Sequence, residues 1–225
     1  SGDTGGEFLK ANPRGEVPAL IDDGLAIFDS TIILEYLEDK WPTPALLPAS
    51  PADRARVRMI EDVMDTHFEA INWGLGEITY FKRAQGAEAE AIVAKAASQT
   101  QSFFAWLEDQ LGDDDWFNGD AFGWGDLSVI PYVNGSASFG NTPPTGSKLE
   151  AWTARTNARA AVTQTAKEAA ASIEGMTMVA DIVEQGLFKR EYRDHRLEWM
   201  VKTAGLDVIA KGLSKNNIRF SNDFS

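Results

Sequence analysis

Apolar residues along this chain change period once, near residue 29. Before it, Val17-Pro18-Ala19-Leu20-Ile21 and Leu25-Ala26-Ile27-Phe28 are short apolar runs separated by Asp22-Asp23-Gly24. An Asp-Gly pair between two such runs predicts a β-hairpin with a tight turn. After it, Ile33, Leu34, Leu37 and Trp41 recur at helical spacing, as do Val57, Ile60, Met64, Phe68, Ile71 and Leu75. Residues 7–11 read as the end of a helix stopped by Asn12-Pro13. Helices are predicted from Asp53 to about Tyr80, over 86–111, from Trp124 to about Ser138 and from Leu149 to Ala161. The 124–138 segment is apolar on most sides and should be central. Four prolines at 42, 44, 48 and 51 mark residues 42–51 as a linker. The layout is a small α+β piece over 1–41, the linker, an all-helical region over 52–186 and an extension over 187–225.

The extension is set apart by charge. Between 187 and 219 there are eight basic residues against four acidic ones, in a chain of net charge −13. Leu197, Met200, Val201, Leu206, Val208, Ile209 and Leu213 give it one or two short helices, and the expectation is that it folds back onto the acidic body, with a solvated tail as the alternative. The overall acidity argues against nucleic acid or an anionic membrane as a general partner. There is no cysteine, so disulfides, thiolate metal sites and a thiol nucleophile within these residues are excluded. The two histidines, His67 and His195, lack metal-ligand spacing, and no metal is expected. Asp113-Asp114-Asp115 fails the calcium-loop pattern and reads as a solvated loop. Neither an apolar span nor a signal-peptide pattern is present, which points to a cytoplasmic protein.

Candidate binding chemistry concentrates in residues 12–41. A proline within a strand cannot donate to the ladder, so Val17-Pro18 belongs at an edge. The Val17 backbone can pair there with an extended peptide, although a proline that merely blunts an edge explains the dipeptide more simply. Asp29-Ser30 opens a helix after a strand. The free N–H groups at such a start attract carboxylates, and the Asp29 carboxylate could hold an ammonium group. The same residues serve equally as a plain N-cap. Further on, Asp126 at the third position of its helix can bond back to the Gly123 N–H, which is folding chemistry.

Taken together, these segments resemble the glutathione transferases. Asn12 to Leu20 is similar to the family's loop and strand leading into its cis-proline, and Asp29-Ser30 to Leu37 to its Glu/Asp-Ser motif and following helix. Gly119, Gly123 and Asp126 match its capping-box stretch, with Gly123 where Ser or Thr is usual. Leu149, Trp152, Arg155 and Arg159 resemble a late helix of its C-terminal domain. Phe-Gly-Trp-Gly-Asp over 122–126 is also similar to bacterial glutathione lyases acting on lignin-derived aromatics, a likeness that rests on those five residues alone.

The resemblance implies a thioredoxin-like N-terminal domain, incomplete here, followed by an all-α domain, and a homodimer. It implies glutathione as co-substrate and detoxification-type chemistry on a small hydrophobic electrophile. By the same likeness Val17 pairs with the cysteinyl backbone beside cis Pro18, Asp29 and Ser30 hold the γ-glutamyl end, and Arg14 reaches the glycine carboxylate. The family's first strand-helix-strand, which carries a catalytic Ser, Tyr or Cys, has no counterpart here. Ser1 and Thr4 do not replace it, and the catalytic residue is expected upstream of Ser1. Met64, His67, Phe68 and Tyr132 are candidates for the electrophile's wall, although core packing explains their spacing better. The competing expectation is a non-catalytic binding or scaffold protein on the same fold.

Overall fold

The computed structural model describes residues 6–173, 179–192 and 194–219. Helix α1 (Glu7–Ala11) leads into strands β1 (Ala19–Asp22) and β2 (Leu25–Phe28), which pair antiparallel with Asp22 opposite Leu25. Asp23 and Gly24 both take positive φ, 50° and 84°. That is the two-residue turn whose twist matches a hairpin. Strand pairing begins at Ala19 rather than Val17, because Pro18 has no N–H to donate; the Val17-Pro18 bond is cis. Helix α2 (Ser30–Lys40) follows. Its Glu38 turns back to accept the N–H groups of Leu46 (3.0 Å) and Leu47 (2.9 Å), so the proline-rich linker is pinned rather than loose.

Helix α3 (Pro51–Val63) starts with Ser50 accepting from Asp53 N–H at 3.1 Å. It runs without interruption through a π turn (Met64–Phe68) into α4 (Glu69–Thr79). Within the turn the Glu69 N–H bonds to Met64 O, five residues back. The predicted stripe Val57, Ile60, Met64, Phe68, Ile71 and Leu75 is entirely buried. Helices α5 (Gly86–Leu111) and α6 (Trp124–Ser138) complete the core, with Val129, Ile130 and Val133 of α6 inside it. Among the described residues no helix is long and apolar enough to cross a membrane.

Helix α7 covers Lys148–Asn157 and α8 Ala160–Ile173, so the helix expected to reach Ala161 breaks at 158–159. The side chains of Asn157 and Asn134 bond each other at 2.8 and 2.9 Å, fixing the end of α7. The Arg159 guanidinium lies 3.8 Å from the Phe122 ring centroid instead of continuing the helix. Asp113 and Asp115 are largely exposed, as expected of a solvated loop.

The chain closes with α9 (Val179–Glu184), β3 (Arg190–Glu191), α10 (Asp194–Ala204), α11 (Leu206–Ser214) and β4 (Ile218–Arg219), the two short strands pairing parallel. The basic extension does fold back onto the acidic body. Glu77 has no exposed side-chain surface and accepts from Arg83 Nε (2.9 Å), Arg190 Nε (2.7 Å) and the Tyr192 hydroxyl (3.0 Å). Arg196 pairs with Glu69 at 2.6 Å. A Cβ on Gly74 would stand 2.2 Å from the Trp199 ring, so only glycine lets α10 seat its indole on α4.

Candidate functional site

The front piece and the helical body meet through carboxylates. Arg58 of α3 grips Glu35 of α2 with two bonds of 2.6 and 2.7 Å. Glu61 accepts from the Thr31 hydroxyl (2.8 Å) and from the Trp124 indole (2.7 Å). Burial raises the Glu61 pKa, against the lowering effect of those two donors. Asp65 follows one turn later on the same helix face and accepts from the Tyr132 hydroxyl at 2.8 Å. Burial, together with the Asp65 charge, pushes the Tyr132 pKa upward. Tyr132 is therefore a neutral donor that holds Asp65 in place.

Asp65 is held at a small polar cavity of about 50 Å³, which is also lined by Asn12, Glu16, Val17, Pro18, Asp29 and Ser30. Four of the five residues expected in a ligand site are thus brought together. Arg14 is not among the lining residues. Its guanidinium pairs with Glu16 at 2.9 Å and borders a separate concavity beside Ala26–Asp29. Asn12 is buried and shapes the loop: its amide donates to Glu16 O and its oxygen accepts the Arg14 N–H at 2.9 Å.

Asp29 resolves an ambiguity of the sequence. It is the N-cap of α2, accepting the N–H groups of Thr31 (3.1 Å) and Ile32 (3.4 Å), both on Oδ1. Its φ of 78° lies where non-glycine residues are strained. With Oδ1 so engaged, Oδ2 is the oxygen available to a ligand. Glu16, Asp29 and Asp65 make three carboxylates around one small polar space. Such a space suits an ammonium group, and with the Thr31, Ile32 and Ile33 N–H groups bonded to Asp29, the Ser30 N–H is the one at the start of α2 left to a carboxylate beside it. Asn12, Glu16 and Asp65 were missed in the sequence. The available signal was that Asp65 stands four residues after Glu61, on a face otherwise followed by buried apolar positions.

Of the four proposed wall residues, Met64 and Phe68 are fully buried in the core. Tyr132 serves Asp65, and His67 lines other cavities. Asp126 behaves as expected and does more. Its Oδ2 accepts the Gly123 N–H (2.9 Å), while Oδ1 accepts the Phe117 N–H (2.9 Å) and the Trp152 indole (2.7 Å). A Cβ at residue 123 would come within 1.9 Å of Asn118 Nδ2 and 2.5 Å of Leu46 O, which explains glycine where a hydroxyl residue is usual.

A thioredoxin-like piece with a cis-proline edge, followed by an all-helical domain with a buried capping aspartate, is the architecture of the glutathione transferase fold. Residues 1–40 match the model for the glutathione S-transferase N-terminal domain, and residues 90–155 the one for the C-terminal domain. Maleylacetoacetate isomerase of Pseudomonas aeruginosa is 30% identical over 146 residues, which cover 64% of this chain and 65% of that protein. Glutathione S-transferase GstB of Escherichia coli is 30% identical over 162 residues, 69% of this chain and 76% of the relative. A theta class glutathione S-transferase from Xanthomonas axonopodis pv. citri, solved with glutathione bound, superposes with a TM-score of 0.60 at 26% identity, covering 72% of this chain and 78% of that one. The chain belongs to the glutathione S-transferase family.

Proposed function

We propose that this chain binds glutathione in the hairpin cavity and belongs to a cytoplasmic transferase that turns the glutathione thiolate on a small hydrophobic electrophile. The observation that carries the reading is the convergence of cis Val17-Pro18, Asp29, Ser30 and Asp65 on one polar space of about 50 Å³. That volume suits a head group rather than a whole tripeptide. The γ-glutamyl ammonium faces the Asp29 and Asp65 carboxylates, and its α-carboxylate takes the Ser30 N–H and hydroxyl at the start of α2. The cysteinyl backbone lies along Val17, which is well exposed and precedes the ladder. Arg14 reaches the glycine carboxylate only by exchanging Glu16 for it, so its contribution is small.

These residues bind and orient glutathione; activation of its thiol is not assigned to any of them. A thiol held among hydrogen-bond donors ionises more readily, and the thiolate is the attacking form. The electrophile rests against the helical domain, with no metal required. Self-association is assigned to the outer face of α3 and α5, where Met59 is 62% exposed and where Val63, Phe103 and Trp106 line a shallow apolar concavity.

Calorimetric titration with glutathione tests the reading. Saturable binding is expected, and Ser30→Ala should weaken it about fivefold, the worth of one hydrogen bond of about 1 kcal/mol. Failure to bind glutathione in solution, or equal affinity in the Ser30 variant, would remove the site assignment.

A further inference from the structure

Ser30 is held in place from outside the hairpin cavity. Its neighbour Thr31 donates its hydroxyl to Glu61 Oε1 at 2.8 Å, and Glu61 Oε2 accepts the Trp124 indole at 2.7 Å. Neither Glu61 nor Trp124 lines the cavity. Both oxygens of one buried carboxylate are thus committed to donors from two other elements, one at the start of α2 and one at the start of α6. The paired bonds of Arg58 to Glu35 also tie α2 to α3, but a full turn further from Ser30.

The far end of this bridge is fixed. Trp124 is buried with Leu47 and Val57, and its backbone N–H donates to Leu46 O at 2.8 Å. The Leu46 and Leu47 N–H groups are in turn held by Glu38, and the Gly123 N–H by Asp126 at 2.9 Å. The near end is strained. Asp29, which caps α2, has a φ of 78°, and such a conformation persists only where its surroundings over-determine it. Glu61 supplies part of that restraint, since it holds the second residue of the helix that Asp29 begins.

We propose that Glu61 is a positioning residue for glutathione: by clamping the Thr31 hydroxyl to the fixed Trp124 indole, it sets the place of the Ser30 N–H and so favours a ligand that carries an α-carboxylate beside its ammonium. This rests on the glutathione reading of the cavity and adds to it a residue that does not touch the ligand. A hydrogen bond weakens steeply as its distance and angle depart from the optimum. A donor held in place before binding does not have to be ordered by the ligand. The clamp needs a carboxylate, because glutamine offers one acceptor oxygen and would turn an NH₂ group toward the second donor.

Calorimetric titration of the full chain with glutathione and with 4-aminobutyryl-cysteinylglycine tests this. The second ligand keeps the ammonium and lacks the α-carboxylate, so the parent should prefer glutathione by about tenfold, the worth of a hydrogen bond to a charged group. Thr31→Val, close to isosteric, should weaken glutathione about threefold, part of the worth of that bond, and leave the analogue unchanged. Thr31→Ser, which restores the hydroxyl, should restore the preference. Glu61→Gln should match Thr31→Val, and the double variant should lose about threefold rather than ninefold, because both changes break one contact. If Glu61→Gln does not fold, the valine and serine variants decide alone. A merely structural role would lower stability, or weaken both ligands equally, without reducing the preference, and that result would overturn the proposal. A parent that prefers glutathione while Thr31→Val keeps the full preference removes the clamp alone. A parent that binds both ligands equally, or neither, removes the placement of the carboxylate at Ser30 and the clamp with it.

Discussion

Replacing Asp126 by alanine should produce one of the largest stability losses available in this fold. The carboxylate is fully buried and satisfies three donors at once: the N–H groups of Phe117 and Gly123 and the indole of Trp152. Truncation strands all three in the interior, and each unsatisfied donor costs about 1–3 kcal/mol. Burial of the charge offsets part of this, since desolvation raises the Asp126 pKa despite the three donors. The expectation is therefore toward the lower end, about 4 kcal/mol in total. For a chain of this size that corresponds to a fall in Tm of roughly 8–16 °C. Thermal unfolding followed by circular dichroism measures it, with urea titration to verify an unchanged m-value. A second cycle with Trp152→Phe should recover a coupling of about 1.5–3 kcal/mol for the indole bond. A fall in Tm of under about 4 °C would show that water or a local rearrangement rescues the stranded donors, and the reasoning would fail.

Three further perturbations are read from the same coordinates. Gly123→Ser installs the residue usual in the family, yet its Cβ collides with Asn118 and Leu46. A loss of about 1–3 kcal/mol is expected, and a raised Tm would contradict it. Glu77→Gln removes the counter-charge of Arg83, whose side chain is only 6% exposed, and of Arg190. Breaking such a buried pair costs about 3–5 kcal/mol, and faster hydrogen exchange over residues 190–219 should accompany it. Glu69 is subject to burial, which raises its pKa, but hydrogen bonds from His195 and Arg196 outweigh it and the net shift is downward. Its stabilising contribution is present above the ordinary glutamate value of 4.5 and is lost as pH falls through the lower folded value. Glu69→Gln should accordingly lose less stability between pH 6 and pH 3 than the parent, as urea midpoints at each pH would record.

Local signals carried much of the architecture. The Asp23-Gly24 turn, the stripe from Val57 to Leu75 and the Asp126 cap each depend on residues within a turn or two of one another, and each forms as the sequence implies. That Val17-Pro18 stands at a strand edge and Asp29-Ser30 at a helix start was also legible, because such boundaries are written in short runs. What only the tertiary structure decided involves groups that are distant in sequence. Asp65 reaches the hairpin cavity because α3 packs against α2 and Tyr132 of α6 holds its carboxylate. Glu77 meets Arg190 and Tyr192 across more than a hundred residues of chain. His67 and His195 come to share a cavity because Gly74 admits Trp199. Sequence periodicity records which side of a helix faces inward, but not which partner waits there. That is settled by close packing and by the requirement that every buried charge find a counterpart.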